Sequence, residues 1–344
     1  MLRSCPHKHN VGVETRGTSA RSSASQRRSA VRYYFIPLVL FILILSSSVI
    51  VSAQTPDAAV NYYNHGLKKI AKGDLDGAIE DYSRAIEISS SLVPVKRFRD
   101  RSWNNASKFA TSSDSDAITV IDPFTADAYN NRGAAYYRKG DFDVAIADFN
   151  DALRINPGLA ASYLNRGAAR RAKGDLKGAL TDFDRALSIR GDLFEAYNNR
   201  GSLRRDLGDF EGALADINHA IALSPRLAEA YYHRAFIRLD QKDLDEAISD
   251  FNRAIELDPK MAWAYQGRGT ALMGKVLLER AIVDFNRAIE LDPTLAPAYM
   301  NRGLSLLLLG KDKEAQEDFD RSIVLKPGLK ADLEYRIQLA KRFR

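Results

Sequence analysis

From residue 126 to residue 329 small and large apolar residues return to the same places every 34 residues. With Ala126, Ala160, Phe194, Ala228, Ala262 and Ala296 as position 1, position 4 is Tyr129, Tyr163, Tyr197, Tyr231, Tyr265 and Tyr299. Position 8 is Gly133, Gly167, Gly201, Ala235, Gly269 and Gly303. Position 20 is alanine in every copy, position 24 is Phe149, Phe183, Ile217, Phe251, Phe285 and Phe319, and position 27 is alanine or, at Ser322, serine. Positions 4, 8 and 11 share one face of a helix, and 20, 24 and 27 share one face of a second. Small residues at 8, 20 and 27 let two helix axes come close, and the aromatic residues at 4 and 24 fill what remains. Gly140-Asp141, Gly174-Asp175 and Gly208-Asp209 stand between the two faces. Glycine ends the first helix there and aspartate caps the second. Proline at position 32 (Pro157, Pro225, Pro259, Pro293, Pro327; Gly191 in one copy) stops the second helix. Each period is predicted to be helix, tight turn, helix, tight turn, and a fixed period of this length marks a stack of hairpins around a continuous core.

The units are 126–159, 160–193, 194–227, 228–261, 262–295 and 296–329. A further copy covers 59–92, with Tyr62, Gly66, Ala78, Tyr82 and Ala85 in register. Residues 93–125 read as a degenerate repeat or an insertion: Trp103-Asn104-Asn105 echoes a start and Ala117–Pro123 an end. In the copy at 262–295 the turn reads Gly274-Lys275-Val276-Leu277, with its glycine displaced. Residues 330–344 supply one helix, whose Leu333, Ile337 and Ala340 are placed to cover the last hairpin as a terminal cap.

These residues resemble the tetratricopeptide repeat (TPR) pattern, in one register over most of the chain. The resemblance implies an all-α TPR solenoid, a right-handed superhelix of antiparallel helix pairs, that binds proteins. It also implies that the first helix of each pair lines a concave groove through positions 2, 5, 6, 9, 12 and 13. Position 6 is Asn64, Asn131, Asn165, Asn199, His233, Gly267 and Asn301. In TPR proteins that hold extended polypeptides such a row of amides hydrogen-bonds the peptide backbone. The competing reading is that these amides satisfy helix ends and turns. The early half of the groove is polar, with Asn130, Asn131, Arg171, Asn198, Asn199 and Arg205; the later half is apolar, with Tyr232, Phe236, Trp263, Met273, Met300, Leu304 and Leu307. Trp263, at position 2, has no packing duty in the repeat, and exposed aromatic clusters mark interaction surfaces. Two alternatives stay open for the apolar end: closure by a neighbouring helix, or a homo-oligomer contact through Leu306–Leu309. The partner expected from the resemblance is a protein segment, extended or helical. A clamp for peptide carboxylates needs Lys or Arg at positions 2 and 6, and Val60, Asp127, Ala161, Glu195, Glu229, Trp263 and Pro297 at position 2 leave it incomplete. Arginine at position 7 and aspartate at position 23 recur in all six copies and read as structural ion pairs between helices.

Charge refines this picture. The net charge is +6, but residues 1–53 hold seven basic residues and one acid, leaving 43 basic and 43 acidic residues in the rest. The footprint of a nucleic-acid binder is missing from the repeats. After residue 53 there is no cysteine and there are three histidines, His65, His219 and His233, with no metal-ligand spacing between them. No phosphate loop or singular carboxylate pair appears, so neither an enzyme nor a cofactor is expected.

The basic stretch is followed by an apolar run over 33–51 and by Val51-Ser52-Ala53-Gln54. Residues 1–53 therefore read as a signal peptide cleaved before Gln54, or as an uncleaved membrane anchor through 33–53. Both place the repeats outside the cytoplasm, periplasmic or secreted after cleavage, or anchored at the membrane. Cys5 precedes the run and is not placed for lipidation. The expectation is an exported, non-enzymatic scaffold or adaptor of the cell envelope. A self-associating anchored subunit and a chaperone-like holder of exported chains are the alternatives.

Overall fold

The structure is a computed structural model that describes residues 57–91 and 123–342. The signal or anchor segment and residues 93–122 of the predicted insertion lie outside the described residues. The described chain is helical and holds no strand. Helix pairs follow one another as α1 (Asp57–Ala71) and α2 (Leu75–Ser91), α3 (Pro123–Lys139) and α4 (Phe142–Ile155), α5 (Ala160–Lys173) and α6 (Leu176–Ile189). Then come α7 (Phe194–Asp206) and α8 (Phe210–Leu223), α9 (Ala228–Gln241) and α10 (Leu244–Leu257), α11 (Ala262–Gly274) and α12 (Leu278–Leu291), α13 (Ala296–Leu308) and α14 (Asp312–Leu325). A 3-10 turn over Pro327–Leu329 leads to the last helix, α15 (Lys330–Arg342). Among the described residues no helix is long and apolar enough to cross a membrane.

The turns follow the sequence logic. Gly174 has φ 87° and ends α5; the Asp175 carboxylate then accepts from the Gly178 N–H and opens α6. Asp209 caps α8 in the same way through the Gly212 N–H, whereas Asp141, expected to do the same, stands at the N-cap of α4 without a side-chain cap bond. The displaced glycine, Gly274, closes α11 and has a backbone consequence. Val276 takes φ 61°, a left-handed conformation that a β-branched residue adopts at a cost.

Within each pair the aromatic or branched residue at position 24 presses on the residue at position 8. A Cβ added at Gly133, Gly167, Gly269 or Gly303 would lie 2.6–2.8 Å from the ring of Phe149, Phe183, Phe285 or Phe319. The copy at 228–261 has Ala235 there, and the ring of Phe251 instead lies against Gly267 of the next layer, beside Phe236. The glycine missing from position 8 of one repeat thus reappears at position 6 of the following one.

The Arg–Asp pairs form, with more partners than the spacing alone announces. Arg166 donates from Nε and Nη2 to both oxygens of Asp182 at 2.9 and 2.6 Å, and the same fork joins Arg132–Asp148, Arg200–Asp216, Arg234–Asp250, Arg268–Asp284 and Arg302–Asp318. These aspartates are buried. The Nη1 of each arginine reaches back one layer to position 25: Asn150 from Arg166, Asp184 from Arg200, Asn218 from Arg234, Asn252 from Arg268 and Asn286 from Arg302, at 2.6–2.7 Å. A second arginine, Arg170, Arg204 or Arg238, adds a bond of 2.7–2.8 Å to the same aspartate in three layers. The position 4 tyrosine lies beneath the guanidinium, 5.3 Å away at Tyr163.

The pattern crosses the insertion. α2 packs directly on α3, and Arg132 Nη1 donates to Ser83 at 3.0 Å, Ser83 being position 25 of the first repeat. Ile70, Ala78 and Tyr82 share a core with Ala135. The first hairpin and the second are therefore adjacent layers.

Successive first helices touch, α3 with α5, α5 with α7, α7 with α9, α9 with α11 and α11 with α13, while successive second helices stand farther apart. The crowded first helices thus occupy the inner side of the curve.

Candidate functional site

The inner face carries positions 5, 6, 9, 12 and 13 of each first helix, and it falls into three stretches. Over α3 and α5 the amides are bonded to one another. Asn131 Nδ2 donates to the Tyr63 hydroxyl at 2.9 Å, Asn130 Nδ2 to Asn131 Oδ1 at 3.3 Å, and Asn130 Oδ1 accepts from Ser162 at 2.9 Å and Asn165 Nδ2 at 3.1 Å. Asn130 and Asn131 are buried and Asn165 is half-buried. This part of the expected ladder is engaged within the protein, by neighbouring side chains and not by the helix ends and turns of the competing reading. Asn64, at the start of the row, is exposed.

The middle stretch, α7 to α11, is built differently. Arg171 Nη2 donates to Ser202 Oγ at 3.0 Å and pairs with Asp206; Arg205 Nε donates to Asp240 at 2.7 Å and its guanidinium lies 5.0 Å from the Phe236 ring centre. Position 12 of one layer thus pairs with position 13 of the next, 35 residues on. The sequence offered that signal as an Arg and an Asp in neighbouring registers, and Ser202, Asp206 and Asp240 were not among the predicted site residues. Asn199, Tyr232, His233, Phe236 and Trp263 are all half-buried. Tyr232 stacks edge-on against His233 and Phe236, with ring centres 5.1 and 4.9 Å apart. Asn198, one residue before Asn199, is buried with its Oδ1 unbonded, and Nδ1 of His233 on the adjacent α9 is closed off without a partner. Burial first, then the nearby charges of Arg171 and Arg205, push the His233 imidazole down to about 3, so it is neutral at ordinary pH. Burial likewise raises the Glu195 and Glu229 carboxyls at position 2 above the usual carboxylate range.

Trp263, predicted to be free of packing, leans on Ala262, Ala288, Leu295 and Ala298. Position 2 has a packing role here because the side chain reaches over the start of α13. Tyr232 and Phe236 also rest one face on a core, that of Ala235, Phe251 and Ala264. These aromatics are anchored on the core and remain partly exposed.

The third stretch, α13, is closed. Met300, Leu304 and Leu307 are buried together with Leu333 and Ala340 of α15. Asn301 donates to Thr270 at 3.0 Å and is buried. Met300 and Leu304, predicted as groove residues, therefore do not reach the open surface, because α15 covers them; closure by a neighbouring helix was one of the readings left open. Leu306 and Leu307 are buried and Leu308 and Leu309 half-buried, so this run is core more than contact surface. Gly267, the gap in the amide row, is where the Phe251 ring fits. Among the described residues no group of His, Cys, Asp or Glu is arranged to hold a metal.

Profiles of the tetratricopeptide repeat family match residues 57–91, 126–159, 194–227, 228–261 and 296–328. Among solved structures, a tetratricopeptide repeat protein from Parabacteroides merdae aligns with 83% of this chain and 100% of its own, at 19% identity and a TM-score of 0.59. The Cut9–Hcn1 hetero-tetramer of the APC/C aligns with 81% of this chain and 53% of its own, at 15% identity and a TM-score of 0.60. The pilF protein of Pseudomonas aeruginosa aligns with 64% of this chain and 97% of its own, at 17% identity and a TM-score of 0.55. At these identities the likeness is one of fold. A search of curated proteins returns no match. Profile matches in the register of the helix pairs, together with the shared fold, show that this chain belongs to the tetratricopeptide repeat proteins, which are generally non-catalytic scaffolds for protein–protein interaction.

Proposed function

We propose that this protein is a non-enzymatic adaptor of the cell envelope that holds a segment of a partner polypeptide against the middle of its concave face. The observation that carries this reading is the open stretch between the locked amides of α3 and α5 and the covered α13. There Asn199, Tyr232, His233, Phe236 and Trp263 stand half-buried on three successive first helices. Neutral amide and imidazole groups suit a peptide backbone, which is uncharged and offers both donors and acceptors. Aromatic platforms with one side already packed lose little conformational freedom on binding, so they suit the partner's apolar side chains. The charges of Arg171 and Arg205 are met by Asp206 and Asp240, which disfavours a strongly charged ligand. Export rests on the basic and apolar pattern of residues 1–53, with the repeats delivered outside the cytoplasm or anchored there.

The test is affinity capture from native envelope extract with the full chain as bait and the Trp263→Ala/Tyr232→Ala variant as control. One enriched protein, lost with a variant that keeps its helical content, supports the adaptor. Broad enrichment of unrelated chains replaces it with a holder, and recovery of the bait alone with self-association. Equal capture by bait and variant removes the central patch as the site.

A further inference from the structure

α15 departs from the order of the rest of the stack. Elsewhere a first helix packs on the second helix before it; α15 lies principally along α13. Its Leu333, Ile337 and Ala340, spaced i, i+4 and i+7, meet Met300, Leu304 and Leu307, with Met273 of α11 beside them. Those residues are positions 5, 9 and 12, the positions that face inward along the whole stack. The distal end of the groove is filled by a helix of the same chain.

The sequence of α15 nevertheless keeps the repeat register. Arg336 falls 34 residues after Arg302, at position 7, and Asp320 falls at position 25, where Asn286 accepts the backward bond of Arg302. In the structure that link is unmade: Arg336 Nε donates to Asp332 of its own helix at 2.8 Å, and Asp320 accepts from Gln316 at 2.9 Å. α15 thus lacks the polar bond that ties each earlier layer to the one before it. Its hold on α13 is apolar, and Tyr335 and Leu339 on its other side are 66% and 40% exposed.

We propose that the α13 end of the groove is a helix-binding surface occupied in cis by α15. Its incoming ligand is a partner helix with apolar residues at i, i+4 and i+7. When that helix takes the seat, α15 moves to the stacking position, where Arg336 reaches Asp320. The proposal rests on the reading of the concave face as a polypeptide-binding groove. It adds a second seat, distinct from the aromatic patch on α7 to α11, and a way of controlling access to it.

The experiment unseats α15 in the full chain with Leu333→Glu/Ile337→Glu and adds a fluorescent peptide of residues 330–344. A linked helix competes at an effective concentration on the order of millimolar. The peptide is therefore expected to bind the variant saturably, at least about tenfold tighter than it binds the unaltered chain. A peptide carrying Leu333→Glu is expected not to bind. A folded variant that does not bind the peptide, or equal binding to variant and unaltered chain, overturns the proposal. Should circular dichroism show that the variant does not fold, hydrogen exchange on the unaltered chain decides. Exchange of α15 amides through an opening that leaves α13 protected supports a displaceable helix, and joint exchange of α15 and α13 overturns it. Failure of the central patch is read separately, from capture by the Trp263→Ala/Tyr232→Ala variant, which alters no residue of the core that α13 shares with α15.

Discussion

Gly267 is where the fit between neighbouring repeats is most exposed to test. Restoring the amide that other layers carry at this position, Gly267→Asn, looks conservative in the sequence. In the structure a Cβ at Gly267 would fall well inside van der Waals contact of Cε1 and Cζ of Phe251 and 3.1 Å from Cε2 of Phe236. Phe251 is fully buried and meets Phe236 edge-on, ring centres 5.2 Å apart, so the ring has no free direction to retreat. Overpacking of this kind costs about 1–3 kcal/mol. Replacing glycine within a helix returns about 0.3 kcal/mol for asparagine but about 1 kcal/mol for alanine. Alanine is therefore expected to cost about 0–2 kcal/mol and asparagine about 1–3 kcal/mol. The assay is urea unfolding followed by far-ultraviolet circular dichroism, with emission of Trp263, one helical turn before Gly267, as a local probe. Ala235→Gly supplies the decisive control. It reopens the usual seat for the Phe251 ring at position 8, so Gly267→Asn should cost at least about 0.5 kcal/mol less in that background, a coupling that independent sites do not show. A neutral Gly267→Asn, or strict additivity with Ala235→Gly, refutes the idea that the two positions exchange one glycine.

Val276→Gly relieves a left-handed β-branched residue that is 73% exposed, so it should stabilise the α11–α12 turn by about 1 kcal/mol, read as a higher urea midpoint; a lower midpoint would mean that Val276 makes an unrecognised contact. Asp250→Ala removes the acceptor of three bonds, from Arg234 Nε at 2.9 Å, Arg234 Nη2 at 2.7 Å and Arg238 Nη1 at 2.7 Å. Two guanidiniums lose their counter-charge, and a loss of about 3 kcal/mol is expected because both can still partly hydrate; a loss under about 1 kcal/mol would reduce the ladder to surface ion pairs. His233 is held down to about 3 in the folded protein against 6.5 for an open imidazole, so between those values the unfolded chain takes the proton first and stability falls as pH falls. The slope is at most about 1.4 kcal/mol per pH unit, absent above pH 6.5; His233→Asn should flatten the stability profile between pH 6.5 and 4, and parallel profiles would show that the ring is not sheltered.

The periodicity was readable because stacking demands it. Tyr129 and its equivalents, the alanines at position 20 and the aromatics at position 24 meet the same neighbours in every layer, so each copy repeats the evidence of the others. The candidate site was less legible because its residues depart from the period. Asn131 and Asn165 look like one uniform row with Asn199, yet the residues that engage them, Tyr63 and Asn130 at position 5 with Ser162 at position 3, vary from copy to copy. Trp263 gave no sign of its support, which comes from the core that Ala288 and Leu295 share with Ala298 of the next layer. Met300 and Leu304 have the hydropathy of an interaction surface, and what covers them is set by the path of the chain after Pro327, a tertiary choice that no local pattern encodes.

The backward bond from each position 7 arginine to position 25 has a consequence for assembly. Near-identical hairpins within one chain could settle out of register on one another, because their apolar faces are nearly interchangeable. Apolar contact tolerates sliding; a guanidinium shared between one layer's carboxylate and the previous layer's position 25 side chain does not, since its planar fork fixes spacing and direction at once. Shifting a layer by a single helical turn would break that bond at each boundary the layer makes. The arginines therefore act as indexing pins that set the register of each layer on the one before, and the stack is expected to propagate in register from any correctly seated pair.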